Sequence, residues 1–385
     1  MRALIVGGGV AGGAAALALE DAGIEAIVLE RRDEAAAAGG SYLTLAPNGL
    51  AAAAALGVLP RLADVGFPTD THLLVGASGT PLGRVSIGVP LASGLRGLTL
   101  RRSDLVGVLT AEAVRRGIAV RRGAAVRGVD GTTVELDGGE RVDADVLIGA
   151  DGVRSVVRSA IDPGAPAPRY VGLTNFGGIT RGTPVAARLE QRAWTMVFGR
   201  RAFFGAHPTP AGDVVWFVNV PEPEIARDVR AATSGDAWRD RLAGLVAGDP
   251  GDAEHLIRAG VLELAGDSTY DLPTVPCWRR GSVVLIGDAA HAPSPSSGQG
   301  ASLALEDAVV LARELRGAED PATALARFES ARRRRVERIV SAGARSSSSK
   351  IPGPLGMRVQ EAVMRVLLRT VVTERGSAWM TGYRV

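Results

Sequence analysis

Three glycine-bearing stretches carry the residue types and spacings that define chemistry in this chain. The first, Gly7-Gly8-Gly9-Val10-Ala11-Gly12, places glycines at 7, 9 and 12 in the G-x-G-x-x-G spacing. Gly7 permits a tight turn, Gly9 lets the backbone approach a pyrophosphate, and Gly12 lets a helix pack closely on a strand. Glu30, with Arg31 beside it, follows 18 residues beyond Gly12, where a carboxylate accepts hydrogen bonds from ribose hydroxyls. The second stretch is Asp151-Gly152-Val153-Arg154-Ser155-Val156-Val157-Arg158. The third is Gly287-Asp288-Ala289-Ala290-His291-Ala292-Pro293, running through Pro295 into Gly298-Gln299-Gly300-Ala301-Ser302. Asp288 suits sugar-like hydroxyls, and the backbone amides near Gly298 to Ala301 suit an electron-rich ring or a second phosphate. The fingerprint alone does not separate FAD from NAD.

Each stretch needs a strand to present it. Ala3 to Val6, Asp145 to Ala150 and Ser282 to Ile286 are short apolar runs, the pattern of strands buried on both faces of a parallel sheet. Val10 to Ala22 has a helical pattern, which Gly23 ends, and Ala26 to Leu29 is a second strand that Glu30 closes. Strand, turn, helix, strand and terminal acid in that order make dinucleotide binding the expected use of the first site.

Composition narrows the chemistry further. The chain has 385 residues, 46% hydrophobic and 22% charged, enough for two cores and far from disorder. A formal charge of +3 makes no case for nucleic acid. Cys277 is the only cysteine, so an intrachain disulfide or a multi-cysteine metal site is excluded and no metal is expected. Lys350 is the only lysine and sits in a serine-rich stretch, a poor anchor for a Schiff base or a P-loop. No run reaches the ~18 to 20 uncharged apolar residues of a membrane-spanning helix. Glu20 and Asp21 disqualify the N-terminus as a signal peptide, and a cytoplasmic protein without membrane insertion is expected.

The motifs together resemble the flavoprotein monooxygenases of the p-hydroxybenzoate hydroxylase type, the group A aromatic hydroxylases. The resemblance rests on GGGVAG with Glu30, RRSDL at 101–105, IGADGVRSVVR at 148–158 and LIGDAAHAPSPSSGQGASLALEDA at 285–308, in order along nearly the whole chain. It implies an α/β fold: a Rossmann-type FAD-binding domain, an inserted, mainly antiparallel β-sheet substrate domain, and C-terminal helices. It implies that the fingerprint holds the ADP part of FAD and that Arg102 lies near the flavin. Asp151 and Gly152 would belong to a motif shared by FAD and NAD(P)H, Asp288 would hold the ribityl chain, and Pro295 with Gly298 would position the ring. It further implies NAD(P)H as a transient reductant and O2 as co-substrate, with one oxygen atom transferred through a flavin C4a-hydroperoxide. No protein residue is then expected as the catalyst, because the cofactor carries the hard chemistry. The absence of a second strand–G-x-G-x-x-G–helix unit disfavours the glutathione reductase type. Lys350 is badly placed for a flavin-dependent halogenase. No C-terminal thioredoxin-like domain is expected, and the resemblance is to the compact salicylate hydroxylase or tetracycline-modifying kind. It departs from some hydroxylases at 35–45, where Ala35 to Ala38, Gly39-Gly40-Ser41-Tyr42 and Leu43-Thr44-Leu45 stand in place of arginines.

The expected division is an FAD domain at 1–65, 98–162 and 277–345, a substrate domain at 66–97 and 163–276, and a helical segment at 346–385. Trp194 to Phe198, Arg201 to Ala206 and Val214 to Val220 read as antiparallel strands, with a turn at Pro210 to Asp213. Asp130-Gly131 and Asp137-Gly138-Gly139 mark two hairpin turns before the second glycine site. Phe176, Trp194, Phe203, Trp216 and Pro293 are candidate pocket residues, with Met196, Phe198, Phe204 and Phe217 beside them, and either face of the sheet could line the pocket. His207 is positioned to meet a phenol or ketone, although a structural role fits it better. His291 reads as shaping its loop. Arg332 to Arg335, inside a helix from Pro321 to about Ala342, reads as a solvated face. Leu355 to Val372 reads as amphipathic and packed on its own protein or a dimer mate, so monomer and homodimer both stay open.

The expected activity is hydroxylation or epoxidation of an apolar, aromatic or polycyclic small molecule. The alternatives are a reductase or oxidase of the same fold, like geranylgeranyl reductase, and a non-catalytic flavin- or ligand-binding protein.

Overall fold

The structure is a computed structural model that describes residues 1–33, 41–294, 297–347 and 374–385. Its first sheet has six strands in the order Arg279–Arg280, Val283–Leu285, Val146–Gly149, Arg2–Val6, Glu25–Glu30 and Ala119–Arg122. All pair in parallel except the short Arg279–Arg280 edge. Leu4 lies opposite Leu147 on one side and Ile27 on the other, and Ala3, Leu4 and Ile5 are fully buried. Continuous apolar runs are what a sheet covered on both faces requires.

The helix Val10–Asp21 follows the first strand and is packed by Gly300–Leu315. It stops where Gly23 adopts φ +75°, with Ile24 N–H bonded to the Leu19 carbonyl, an αL end that glycine takes without steric cost. The expected meander is present as Val126–Asp130, Thr133–Leu136 and Arg141–Val142, with Gly131, Gly138 and Gly139 all at positive φ.

A small antiparallel sheet of Tyr42–Leu45, Leu98–Arg101 and Phe67–Pro68 was not anticipated. Its period of two divides it cleanly. Leu43, Leu45, Leu98 and Leu100 join the core of the first sheet, and Tyr42, Thr44, Thr99 and Arg101 point the other way.

They face a seven-stranded sheet in the order Val261–Asp271, Arg169–Thr180, Val214–Pro221, Phe203–Pro208, Ala193–Phe198, Thr71–Gly76 and Pro81–Ser86. It is antiparallel except where Ala193–Phe198 runs parallel to Thr71–Gly76. Its outer face is covered by helices Gly235–Val246 and Ala253–Ala259, which bury Trp238, Leu242, Leu256 and Ile257 against Phe176, Phe204, Trp216 and Val218. Its inner face carries Trp194, Val215 and Ile179, packed with Phe67, Tyr42, Met196 and Phe217.

The helix Pro321–Ser347 runs longer than expected and corrects one expectation. Arg332 is fully buried and Arg335 mostly so, while Arg334 is exposed, so this basic run is only in part a solvated face. A guanidinium lies inside only where carboxylates meet it, and here Glu306 and Asp307 do. Lys350, Pro295, Ala35 to Ala38, Gly39-Gly40 and Leu355 to Val372 lie outside the described residues.

Candidate functional site

The three glycine stretches meet at the carboxyl ends of the parallel strands. Gly7, at φ +103°, approaches the second stretch so closely that a Cβ would stand 2.5 Å from the Ala150 carbonyl oxygen. A Cβ on Gly12 would lie 1.8 Å from the Gly7 carbonyl oxygen. Gly9 differs from both. Its φ is −75° and, among the described residues, no atom lies within 4 Å of where its Cβ would be. Neither backbone strain nor protein packing therefore accounts for a glycine there. Gly9 begins the helix Val10–Asp21, which has no side-chain cap and no acid in its first turn. The amides of its first turn have no partner within the helix, and the positive end of the helix dipole lies behind them.

Glu30 ends its strand with Oε2 accepting from Gly8 N–H at 2.7 Å and Oε1 from Arg32 N–H at 2.9 Å. Arg31 beside it is exposed.

Asp151 is turned inward. Its carboxylate accepts from Ser155 Oγ at 2.5 Å and from the Val156 and Val157 amides at 2.7 and 3.2 Å, capping the helix Val156–Ile161. Burial raises its pKa. Gly152 takes φ +82° with open space before it. Arg158 then joins two of the stretches, donating to the Val153 carbonyl at 2.7 Å and to the Ala289 carbonyl at 3.1 Å.

In the third stretch Gly287, at φ +55°, packs on the fingerprint helix, where a Cβ would lie 2.7 Å from Ala11 Cβ. Asp288 is half-buried, and among the described residues its carboxylate has no hydrogen-bond or ion-pair partner. Its Oδ1 stands 3.9 Å from a Cβ placed on Gly300, the first residue of the helix Gly300–Leu315. That helix also lacks a side-chain cap and a first-turn acid. Gly298, at φ +60°, has among the described residues no neighbour within 4 Å of its Cβ position. Pro293 is buried against Gly300. Gln299 is buried and accepts from Asn48 Nδ2 at 2.9 Å. Ser302 Oγ accepts from Ala46 N–H at 3.4 Å, and Ala301 lies between them in the same turn.

Behind this loop lies a buried charge cluster. Asp307 accepts from Gly287 N–H at 3.0 Å, His291 Nε2 at 2.6 Å and Arg332 Nε at 2.8 Å. Burial alone would push Asp307 up, but His291 and Arg332 outweigh it and hold the carboxyl at about 2.

The region where the small sheet meets the inner face of the seven-stranded sheet is the second half of the candidate site. Trp194 and Phe203 face it, with Phe217 within 5.4 and 5.8 Å of their ring centres. Gly177 lies on the same face, and a Cβ there would make only ordinary contacts, 3.6 Å at the nearest. Phe176 and Trp216 lie on the opposite face, in the core under the helices, because residues 176 and 216 fall on the other parity of their strands. His207 faces inward but both nitrogens are engaged, Nδ1 with the Pro208 carbonyl at 2.7 Å and Nε2 with Thr69 Oγ1 at 3.1 Å. Burial lowers its pKa to about 4, so it is a neutral tie between the sheets. Thr69, Thr99 and Thr44 continue that tie to Trp194 Nε1.

Sequence reasoning missed the polar end of this space. Arg101 forms a two-pronged pair with Glu263, Nε at 3.0 Å and Nη2 at 2.6 Å, and lies 5.2 Å over the Tyr42 ring. Burial, with Glu263 adding, raises the Tyr42 hydroxyl to about 12. The only available signal was alternation in Leu98-Thr99-Leu100-Arg101, which sets Arg101 apart from Arg102. Arg102 opens the next helix, is exposed, and donates its N–H to the Ser41 carbonyl at 3.0 Å.

Comparison with known proteins agrees with this geometry. The model of a family described as FAD binding domain matches residues 1–343. An aurachin C monooxygenase/isomerase from Stigmatella aurantiaca is 29% identical over 95% of this chain and 94% of its own length. An FAD-dependent urate hydroxylase from Klebsiella pneumoniae is 30% identical over 88% of each chain. The crystal structure of Klebsiella pneumoniae HpxO complexed with FAD and uric acid superposes with a TM-score of 0.80, at 28% identity over 95% of this chain and 93% of that one.

Proposed function

This chain belongs to the FAD binding domain family and is an FAD-dependent monooxygenase, and on that premise we propose which residues hold the cofactor and what enters beside it. The amides of Gly9, Val10, Ala11 and Gly12 take the pyrophosphate. Gly7 and Gly287 shape the turns on either side. Glu30, with Arg31, takes the adenosine end, and Arg102 lies beside the flavin. Asp288 takes the ribityl hydroxyls, and the segment Gly298, Gln299, Gly300, Ala301, Ser302 faces the ring. Asp151 and Gly152 support the site through the backbone, since the Asp151 carboxylate is already engaged in capping.

The donor set fits the group. A pyrophosphate needs N–H donors without a competing acid, which both uncapped helix ends offer. A polyol needs an acceptor with free lone pairs, and Asp288 is one. Gly9 supplies the observation that carries the assignment, because its lack of a side chain has no use inside the protein itself.

When bound, FAD stores electrons taken from NAD(P)H and activates O2 for transfer of one oxygen atom. The rest is done by this chain's side chains. Trp194, Met196, Phe203 and Phe217, with Gly177 beneath, accept a flat, mostly apolar ring between the two sheets and exclude water from it. Tyr42 stays protonated at physiological pH and presents a donor at the polar end. The chain divides accordingly into an FAD part at 1–65, 98–162 and 277–345 and a substrate part at 66–97 and 163–276. The urate and aurachin C names of the relatives support an aromatic substrate.

The test is a screen of small aromatic and polycyclic compounds for acceleration of NAD(P)H oxidation, followed by mass analysis of the product formed under isotopically heavy O2. The expected result is one heavy oxygen atom in the product. Oxidation that never responds to an aromatic compound, or that yields only peroxide throughout the screen, overturns the assignment.

A further inference from the structure

We propose that the C-terminal segment Glu374–Val385 supplies positioning residues for the cofactor loop. It sets Arg335 and, through Glu306, the segment Ser297–Gly300. This rests on the cofactor placement just proposed.

One guanidinium makes the connection. Arg335 donates Nε and Nη2 to the buried Glu306 carboxylate at 3.0 and 2.8 Å. On its other side it donates Nη1 to the Trp379 carbonyl at 2.8 Å and Nη2 to the Met380 carbonyl at 2.6 Å. The Tyr383 ring covers both arginines of the cluster, 4.4 Å from Arg335 and 5.5 Å from Arg332. Arg338 lies 4.0 Å over the Trp379 ring. The far side of Glu306 leads to the loop, because Oε1 also accepts from Asn48 Nδ2 at 2.6 Å, and Asn48 donates to Gln299 Oε1. Gln299 immediately precedes the helix that opens at Gly300. The same long helix touches the loop directly, since a Cβ on Gly343 would lie 2.9 Å from Ser297 Cβ. Thr381 is buried against Gly88, which follows a strand of the seven-stranded sheet, so the segment reaches both halves of the site.

Glu306, Asp307 and Arg332 are all fully buried, and such a cluster holds one arrangement only while every member keeps its partners. The carbonyls of Trp379 and Met380 satisfy the Arg335 donors that Glu306 does not reach. If the segment lifts, Arg335 is free to turn toward water, Glu306 loses a partner, Asn48 loses its fixed acceptor, and Gln299 in turn loses its fixed donor. The loop then changes position although no residue touching it has been altered.

Tyr383→Leu, Tyr383→Phe and Arg335→Lys test this by titration of the apoprotein with FAD, visible circular dichroism of the bound flavin, and thermal unfolding of the apoprotein. Tyr383→Leu and Arg335→Lys are expected to weaken FAD binding about tenfold and change the flavin dichroism, by more than any loss of apoprotein stability accounts for. Tyr383→Phe keeps the ring and is expected to behave like the parent. If Arg335→Lys does not fold, Tyr383→Leu decides alone. FAD affinity within roughly twofold of the parent, or a loss matched by equal loss of apoprotein stability, overturns the proposal. A parent chain that binds no FAD would instead sink the cofactor assignment.

Discussion

A methyl group on Gly12 would sit 1.8 Å from the Gly7 carbonyl oxygen, whereas one on Gly9 would meet nothing. Gly12→Ala is therefore expected to disrupt the fold, and Gly9→Ala to leave far-ultraviolet dichroism and melting intact while FAD binding is lost. A Gly9→Ala protein that still takes FAD at the parent's affinity would show that the pyrophosphate lies elsewhere. Asp288→Ala is expected to purify folded and colourless; a fully yellow variant would remove the role given to that carboxylate. Asp307 makes a prediction in pH. Its folded pKa of about 2 lies below the ordinary 3.8, so its ionised form contributes stability that is present above the ordinary value and lost as pH falls toward 2. Asp307→Asn leaves Arg332 without one carboxylate and is expected to cost about 3 kcal/mol or more near neutral pH, a gap that closes through that acid range in denaturant melts. Of these residues, the glycines, Glu30 and Asp288 were legible because local spacing defines them. The burial of Arg332 was not, since its carboxylate partners lie some 25 positions away and a run of arginines on a helix looks solvated until they are found.

At the scale of elements, the two faces of the seven-stranded sheet do different work. Trp216 fills the core beneath the helices, with Nε1 bonded to Thr180 Oγ1 at 3.0 Å, so Trp216→Ala is expected to cost about 3–5 kcal/mol by denaturant unfolding. Phe217 is half-buried on the inner face. Phe217→Ala is expected to cost less and to leave flavin content unchanged while altering which aromatic compounds accelerate NAD(P)H oxidation. Equal stability losses in the two variants would contradict this division. The strands themselves were readable. Parallel runs, hairpin turns at Asp130-Gly131 and Pro210 to Asp213, and the ends of the helix after the fingerprint fall where apolar runs and glycines put them. The orientation of the sheet was not readable, because alternation says that Trp216 and Phe217 part company without saying which one meets the core. The small sheet at Tyr42–Leu45 escaped notice because its strands are two to four residues long and pair far along the chain, Thr44 and Phe67 both meeting Thr99.

For the whole molecule, the site exists only where distant segments are brought together. Residues 7–12, 151–158, 287–294 and 297–302 lie on one side of the candidate site, and 42–44, 98–102 and 175–219 on the other. Arg158 and the Glu306–Arg335 cluster lock the first group. The His207–Thr69–Thr99–Thr44 chain and the Arg101–Glu263 pair hold the second group together. Crystals grown with FAD test this convergence most directly. The account predicts density for one FAD with its pyrophosphate on the Gly9 to Gly12 amides, its ribityl chain on Asp288 and its ring facing the space between Tyr42 and Phe217. An FAD bound in another crevice, or one whose ring lies away from that space, would contradict it.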